Sequence, residues 1–130
     1  MESLPPPMCQ VVLLDGTFAS LTEGRRSSIA RICALLSGEF GTLPAPVRLY
    51  YEPGQQWEAW GEIMGIAMGH GMGARIRDAY GWLASAYRPG DRIFLMGYSR
   101  GAFAIRSLAA MVGRVGLLRQ DAATERNIRT

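Results

Sequence analysis

The stretch that most restricts the fold of this chain is "RIFLMGYSRGAFAIRSLAAMVG", from Arg92 to Gly113. It begins with a short apolar run that is typical of a buried strand, and it ends in apolar residues at the spacing of a helix. Between the two, Gly97 and Gly101 stand two residues on either side of Ser99. The serine therefore lies at a turn from a strand directly into a helix. Such a turn is either the site of a nucleophile or a structural connection.

The rest of the chain alternates strands with helices in the same way. A buried strand is predicted over Cys9–Leu14, a helix over "SSIARICALLSG" with Ser27 or Ser28 as N-cap, and a second strand within "VRLYYEPG". The helical segment "ARIRDAYGWLASAY" precedes the third strand, "RIFLM", and a last helix is expected from about Ala102 to Val112. This order predicts an α/β fold, a three-layer parallel sheet built from βα units. Right-handed crossovers place the first strand between the other two.

The residues around Ser99 suit a nucleophile elbow, the strained turn that exposes a catalytic serine. Gly97 and Gly101 remove side chains that would collide where the strand and helix backbones come close. The helix N-terminus places partial positive charge where an oxyanion would form, and the backbone N–H of Arg100 supplies one donor to it. The bare motif should arise by chance about 0.1 times in a chain of this composition, so the predicted strand and helix around it are the context that it requires.

Length and composition predict one soluble domain. A chain of 130 residues with 48% hydrophobic and 19% charged residues is typical of a single globular unit. All 14 basic residues are arginine, and they alternate with acids along the chain, so no nucleic-acid partner is expected. The N-terminal "MESLPPPMC" has no basic region, and the apolar run after it is far too short for a signal or a membrane span. We therefore expect a flexible lead over residues 1–8 and a cytoplasmic chain, with export that needs no cleaved signal left open.

No metal or cofactor is expected. Cys9, Cys33 and the single His70 have no metal-ligand spacing, and both cysteines are predicted to be buried free thiols. The segment Gly69–Ala74 fits the dinucleotide pattern G-x-G-x-x-A. However, no clear strand precedes it, and no acid ends a second strand about 20 residues later. A glycine-rich loop is the simpler interpretation of this segment.

Three segments of the chain carry a family resemblance: "VVLLDGT", "YYEPG" and the long run "AYGWLASAYRPGDRIFLMGYSRGAFAIRSLAAMVGRVGLL". Together they resemble the DUF2235 family of α/β-hydrolase-fold proteins, which includes the type VI secretion phospholipase effectors of the Tle1 group. The resemblance implies that Ser99 is the nucleophile of a lipase- or esterase-like triad. It also implies that the loop Asp15-Gly16-Thr17 lies near the active site. Phe18 stands where the family usually has tryptophan.

The residues after Ser99 depart from the family pattern. In α/β-hydrolases the acid and the histidine follow the nucleophile in chain order. Here no histidine follows it, and the only acids that do are Asp121 and Glu125. We therefore expect residues 1–130 to be one partial hydrolase domain, the N-terminal portion of the fold, with an incomplete triad. Two upstream residues are alternatives, His70 as the base and Asp15 as the acid. The structural interpretation of His70 is a loop histidine, and that of Asp15 is a turn or helix cap.

The predicted function is hydrolysis of a lipid or phospholipid ester through an acyl-enzyme on Ser99. Its oxyanion hole would combine the Arg100 N–H with a backbone N–H near Gly16 and Thr17. The alternative is a non-catalytic fragment or binding module that keeps the elbow as a structural turn. Expected partners are the lipid or ester substrate, a membrane surface, and either a second copy of the chain or a missing C-terminal half.

Overall fold

A computed structural model describes residues 6–16, 24, 26–38, 46–54 and 71–129. Its elements, in chain order, are β1 (Cys9–Leu14), α1 (Ser28–Leu36), β2 (Val47–Glu52), α2 (Met72–Ala86), β3 (Arg92–Gly97) and α3 (Arg100–Val115), followed by a 3-10 turn (Gln120–Ala122) and the short helix α4 (Glu125–Arg129). All three predicted strands are present at the expected positions.

The three strands form one parallel sheet in the order β2-β1-β3. In its register, Leu14 at the end of β1 is level with Glu52 at the end of β2 and with Gly97 at the end of β3. The predicted parallel pairing and the central position of the first strand are therefore confirmed. Because the strands are parallel, the residues that follow all three lie along the same edge of the sheet, which we call the carboxyl edge.

Helices cover both faces of the sheet, because the buried side chains of β1 alternate between them. Val12 and Leu14 pack with residues of α2 and α3, among them Leu83 and Leu108. Val11 and Leu13 belong to a second cluster on the other face, which α1 contributes to through Ile29 and Cys33. Together these contacts give the three layers of an α/β fold. Burial also raises the pKa of the Cys33 thiol. Cys33 is buried, as predicted, whereas Cys9 is only partly buried, so the prediction of burial is wrong for Cys9.

One serine sets the start of α1. The Ser27 Oγ accepts a hydrogen bond from the Ala30 N–H at 3.1 Å, so Ser27 is the N-cap of the helix. This is one of the two caps that the sequence indicated. The same hydroxyl also contacts the carboxylate of Asp15, the residue that follows β1.

The opposite edge of the sheet, at the start of the strands, is held together by one carboxylate. Asp91 Oδ1 accepts from the Met8 N–H at 2.9 Å, and Asp91 Oδ2 accepts from Gln10 Nε2 at 2.8 Å and from the Arg88 N–H at 3.0 Å. The hydrogen bond from Met8, followed by that from Gln10, lowers the pKa of Asp91 below its usual value. Gln10 is fully buried, and its Oε1 has no hydrogen-bond partner among the described residues.

The segment after α3 folds back onto α2. The Tyr80 hydroxyl donates to the Gly116 carbonyl and accepts from the Leu118 N–H, both at 3.0 Å. Ile128 of α4 also packs with the core on this face. Within the described ranges, no helix has the length and apolar character needed to cross a membrane.

Candidate functional site

Ser99 connects the end of β3 to the start of α3, as the sequence predicted. Its backbone has φ 55° and ψ −121°, and it is the one described residue other than glycine with a positive φ. Residues with side chains seldom adopt this region, and the strain costs on the order of 1–3 kcal/mol. The serine is exposed to solvent. A strained, exposed serine therefore lies at the carboxyl edge of the sheet.

The two flanking glycines are required by close backbone contacts. A Cβ at Gly101 would overlap the carbonyl oxygen of Leu14 in β1, and it would lie 2.7 Å from the Asp15 carbonyl oxygen. A Cβ at Gly97 would overlap the carbonyl oxygen of Gly101 and lie 2.7 Å from the Ala102 nitrogen. The α3 N-terminus can approach the strands this closely only because both positions lack side chains. These contacts agree with the role that the sequence indicated, in which both glycines avoid collisions between the strand and helix backbones.

A third glycine brings the end of β1 against the serine. A Cβ at Gly16 would lie 3.1 Å from the Ser99 Cβ and 2.9 Å from the Tyr98 Cδ1. The Tyr98 N–H donates to the Leu14 carbonyl at 3.1 Å, which fixes the two strand ends side by side. Gly16 is therefore an immediate neighbour of Ser99, whereas Thr17 and His70 lie outside the described residues.

Asp15 is fully buried, and its carboxylate accepts hydrogen bonds from three neighbours. Oδ1 accepts from the Gly16 N–H at 2.8 Å, the Ser27 hydroxyl lies 2.7 Å from both oxygens, and the Tyr51 hydroxyl donates to Oδ2 at 2.9 Å. Burial, followed by the hydrogen bond to Asp15, raises the pKa of Tyr51 well above its usual range. The carboxylate thus links the ends of β1 and β2 to the N-cap of α1.

A buried arginine, which the sequence reasoning missed, lies beside this carboxylate. Arg75 in α2 is 6% exposed. Its Nε donates to Glu52 Oε1 at 3.0 Å, and its terminal nitrogen donates to the Asp15 carbonyl at 3.0 Å. A sequence signal for it exists, because Arg75 stands four and eight residues before the buried Ala79 and Leu83, on the same side of the helix. We call Asp15, Ser27, Tyr51, Glu52 and Arg75 the edge cluster.

The start of α3 directs backbone N–H groups toward the serine. The N–H groups of Ala102 and Phe103 donate to the Ser99 carbonyl at 3.0 and 3.3 Å, so Ser99 caps the helix through its main chain. Arg100 is the first helical residue, and α3 contains no acidic residue from Arg100 to Val115. The positive end of the helix dipole therefore lies at Ser99 without a nearby acid in the helix.

Asp121, the first acid after the serine, lies elsewhere in the fold. A cavity of about 710 Å³ is lined by Ile93 near the start of β3 and by Asp121, among other residues. Asp121 also forms an exposed ion pair with Arg119, with 3.4 Å between Oδ1 and Nε. Ser99 follows the other end of β3. The cavity is therefore separate from the carboxyl edge, and we assign no part of the serine site to it.

These features define an α/β protein with a parallel sheet and an exposed serine in a strained turn at the sheet's carboxyl edge. The chain belongs to the family of type VI secretion phospholipase effectors, Tle1-like, catalytic domain, whose model matches residues 10–129. The match covers β1 from Gln10 onward, the edge cluster and the serine turn. It confirms the family resemblance that the sequence motifs carried.

A second comparison finds a similar segment in a yeast protein. The chain is 56% identical over 43 residues to uncharacterized protein YEL023C of Saccharomyces cerevisiae, and the shared segment is 33% of this chain and 6% of that protein. This chain thus corresponds to a small part of the length of that relative. No solved structure matches the chain.

Proposed function

We propose that the chain carries the nucleophile of a lipid ester hydrolase and that Ser99 is that nucleophile. The observation that carries the proposal is the strained backbone of Ser99, which holds an exposed hydroxyl at the N-terminus of α3. Strained residues concentrate at functional sites, and a serine between a strand and a helix is the arrangement of the nucleophile elbow. Membership of a phospholipase effector family supports a lipid ester as the substrate.

In the proposed reaction, the Ser99 Oγ attacks the ester carbonyl carbon while a base removes its proton. The ester C–O bond then breaks, the alcohol leaves with a proton, and water later releases the acid from the acyl-enzyme. The Arg100 N–H is one proposed oxyanion donor. The Gly16 N–H donates to Asp15 Oδ1, so we assign the second donor to the backbone of Thr17.

We assign Asp15 a positioning role, because the Gly16 N–H and the hydroxyls of Ser27 and Tyr51 already occupy its two oxygens. The base that takes the Ser99 proton is then either His70 or a group outside this sequence, since the chain contains one histidine. A serine hydroxyl without a positioned base is a weak nucleophile. We therefore expect these 130 residues to hydrolyse a short-chain p-nitrophenyl ester slowly.

Covalent labelling with a fluorophosphonate tests the assignment of the nucleophile. The Ser99 oxygen would bond to phosphorus as the P–F bond breaks, and added imidazole would supply the base that removes the proton. We expect mass spectrometry to locate an imidazole-dependent adduct on Ser99 and none after Ser99→Ala. Ser85, an exposed serine within α2, is the internal control, because it lies away from a helix N-terminus. Equal labelling of Ser85 and Ser99 would contradict the proposal.

A non-catalytic binding module is the second candidate, and it is favoured by the Asp15 carboxylate, whose two oxygens are occupied by hydrogen bonds that tie the sheet to α1. The two functions differ in their response to imidazole. If imidazole raises the rate of hydrolysis more in the natural chain than in Ser99→Ala, then Ser99 is a nucleophile that lacks only a base. Equal rates in the two proteins would favour the binding module.

A further inference from the structure

Two aromatic side chains next to the serine are unusually exposed. Tyr98, immediately before Ser99, is 58% exposed, and Phe103, one helical turn after it, is 63% exposed. The Phe103 N–H donates to the Ser99 carbonyl at 3.3 Å, which fixes this phenylalanine beside the turn. Exposed large apolar residues grouped at one place indicate an interaction site more often than a solvated surface.

Phe103 begins a basic stripe along α3. Phe103, Arg106, Ala110 and Arg114 are spaced by three or four residues, and all four are exposed. They therefore share one side of the helix. The opposite side contains the buried Gly101, Ala104, Ile105 and Leu108. We call Phe103, Arg106 and Arg114 the α3 face.

The charge of the α3 face is of one sign. The helix contains three arginines and no acidic residue over its 16 residues. An aromatic group that enters the headgroup layer and arginines that meet anionic headgroups are the two contributions that hold proteins on a bilayer surface. A nucleic acid fits this surface less well, because the positive charge is confined to one short helix and two aromatics stand at its end.

We propose that the α3 face binds the surface of an anionic phospholipid bilayer and presents Ser99 to it. This inference rests on the proposed function, because it specifies the physical form of the substrate as lipid within a membrane. Phe103 would insert at the headgroup boundary, and Arg106 and Arg114 would contact the phosphates. The serine, which precedes the same stripe by one turn, would then face the lipid.

Vesicle flotation of the whole 130-residue chain tests the proposal, because aggregated protein sediments while bound protein rises with the lipid. Vesicles of phosphatidylcholine mixed with phosphatidylglycerol are compared with vesicles of phosphatidylcholine alone. We expect stronger binding to the anionic vesicles, weakened in about 0.5 M NaCl by screening. Phe103→Ser should reduce the partition coefficient about tenfold, and Arg106→Gln about fivefold.

Helix α1 offers matched controls. Leu35 is a half-exposed aliphatic residue, and Arg31 is an exposed arginine one turn before it, so Leu35→Ser and Arg31→Gln repeat both changes away from Ser99. We expect these variants to bind anionic vesicles as the natural chain does. Equal losses of binding in the α1 and α3 variants would show that binding does not depend on the α3 face, and they would overturn the proposal. Failure of the natural chain to bind either kind of vesicle would overturn it as well.

The result of the vesicle experiment can be distinguished from the test of the Ser99 nucleophile, because flotation requires no catalytic turnover. Loss of Ser99 labelling with intact vesicle binding would remove the catalytic assignment alone. Intact labelling of Ser99 with no vesicle binding would contradict the bilayer proposal and leave the catalytic assignment in place. If light scattering shows that Phe103→Ser converts a dimer into a monomer while vesicle binding is unchanged, a second copy covers the face and the bilayer proposal is wrong.

Discussion

Replacing Gly101 by alanine should destabilise the protein by about 2 kcal/mol or more. The new Cβ would overlap the Leu14 carbonyl oxygen, with 2.6 Å to the Leu14 carbonyl carbon. Leu14 ends the central strand, and its carbonyl also accepts from the Tyr98 N–H, so neither side of the contact can move without a loss. Overpacking of this kind costs about 1–3 kcal/mol. The gain in helix propensity from glycine to alanine offsets less than about 1 kcal/mol of it.

The same substitution at Gly113 is the control, because this glycine lies in the same helix with open space around its Cβ position. Gly113→Ala should raise stability by about 0.5 kcal/mol through helix propensity alone. Urea unfolding and thermal unfolding, both followed by far-UV circular dichroism, measure both variants. At roughly 4 °C per kcal/mol, Gly101→Ala should lower Tm by about 8 °C and Gly113→Ala should raise it by about 2 °C. A Gly101→Ala protein as stable as the natural chain would refute the close approach of α3 to β1.

Three further predictions concern strain and pH. Ser99→Gly should be more stable than Ser99→Ala by about 1 kcal/mol in the same unfolding assay, because glycine adopts φ 55° without strain; equal stabilities would contradict a strained turn. Tyr51→Phe should cost about 2 kcal/mol at pH of about 8 through the lost hydrogen bond to the carboxylate. Because folding raises the pKa of Tyr51 above its ordinary 10.0, this stabilisation is complete below pH 10.0 and declines as pH rises through the folded value; a difference between the two proteins that does not shrink in alkali would be the contrary result. Folding lowers the pKa of Asp91 below its ordinary 3.8, so its contribution is present above that pH and lost as pH falls through the folded value. Asp91→Asn should therefore have a lower Tm at neutral pH and a smaller fall in Tm on acidification, and parallel acid titrations of Tm would exclude this role.

The strands and the serine turn could be predicted because their signals are local. The apolar run over residues 11–14 is buried on both faces of a parallel sheet, and such a run is a continuous hydrophobic segment in the sequence. The start of α3 was predicted at Ala102, but the helix begins at Arg100. Glycine has poor helix propensity, so a local prediction leaves Gly101 outside the helix. In the structure Gly101 is part of the helix, because the helix comes so close to Leu14 at this position that only glycine fits.

The edge cluster could not be predicted in the same way, because its contacts join residues far apart in the chain. Arg75 reaches the Asp15 carbonyl across 60 positions, and the Tyr51 hydroxyl reaches Asp15 across 36. Sequence reasoning recognised Asp15 as either an acid or a cap. Asp15 contacts the hydroxyl of Ser27, which is the residue that caps α1, and its contact with Tyr51 is one that no local pattern contains.

The two edges of the sheet differ in how many energetically costly features they contain, such as a strained backbone or a buried charged side chain. At the carboxyl edge, Ser99 has a strained backbone, while Asp15 and Arg75 carry charges in buried positions. Burying one ion costs several kcal/mol unless its hydrogen bonds are satisfied. Here the satisfying contacts come from all three layers, so the edge cluster ties the sheet to the helices on both faces. The starting edge contains one buried unpaired atom, Gln10 Oε1, and its carboxylate, Asp91, is partly exposed. Gly16 follows Asp15 of the edge cluster and lies against Ser99, so we predict that loss of Asp15 or Arg75 displaces the serine turn before it unfolds the sheet. Imidazole-dependent labelling of Ser99 should then fall while the far-UV circular dichroism spectrum stays the same, and unchanged labelling would contradict the prediction.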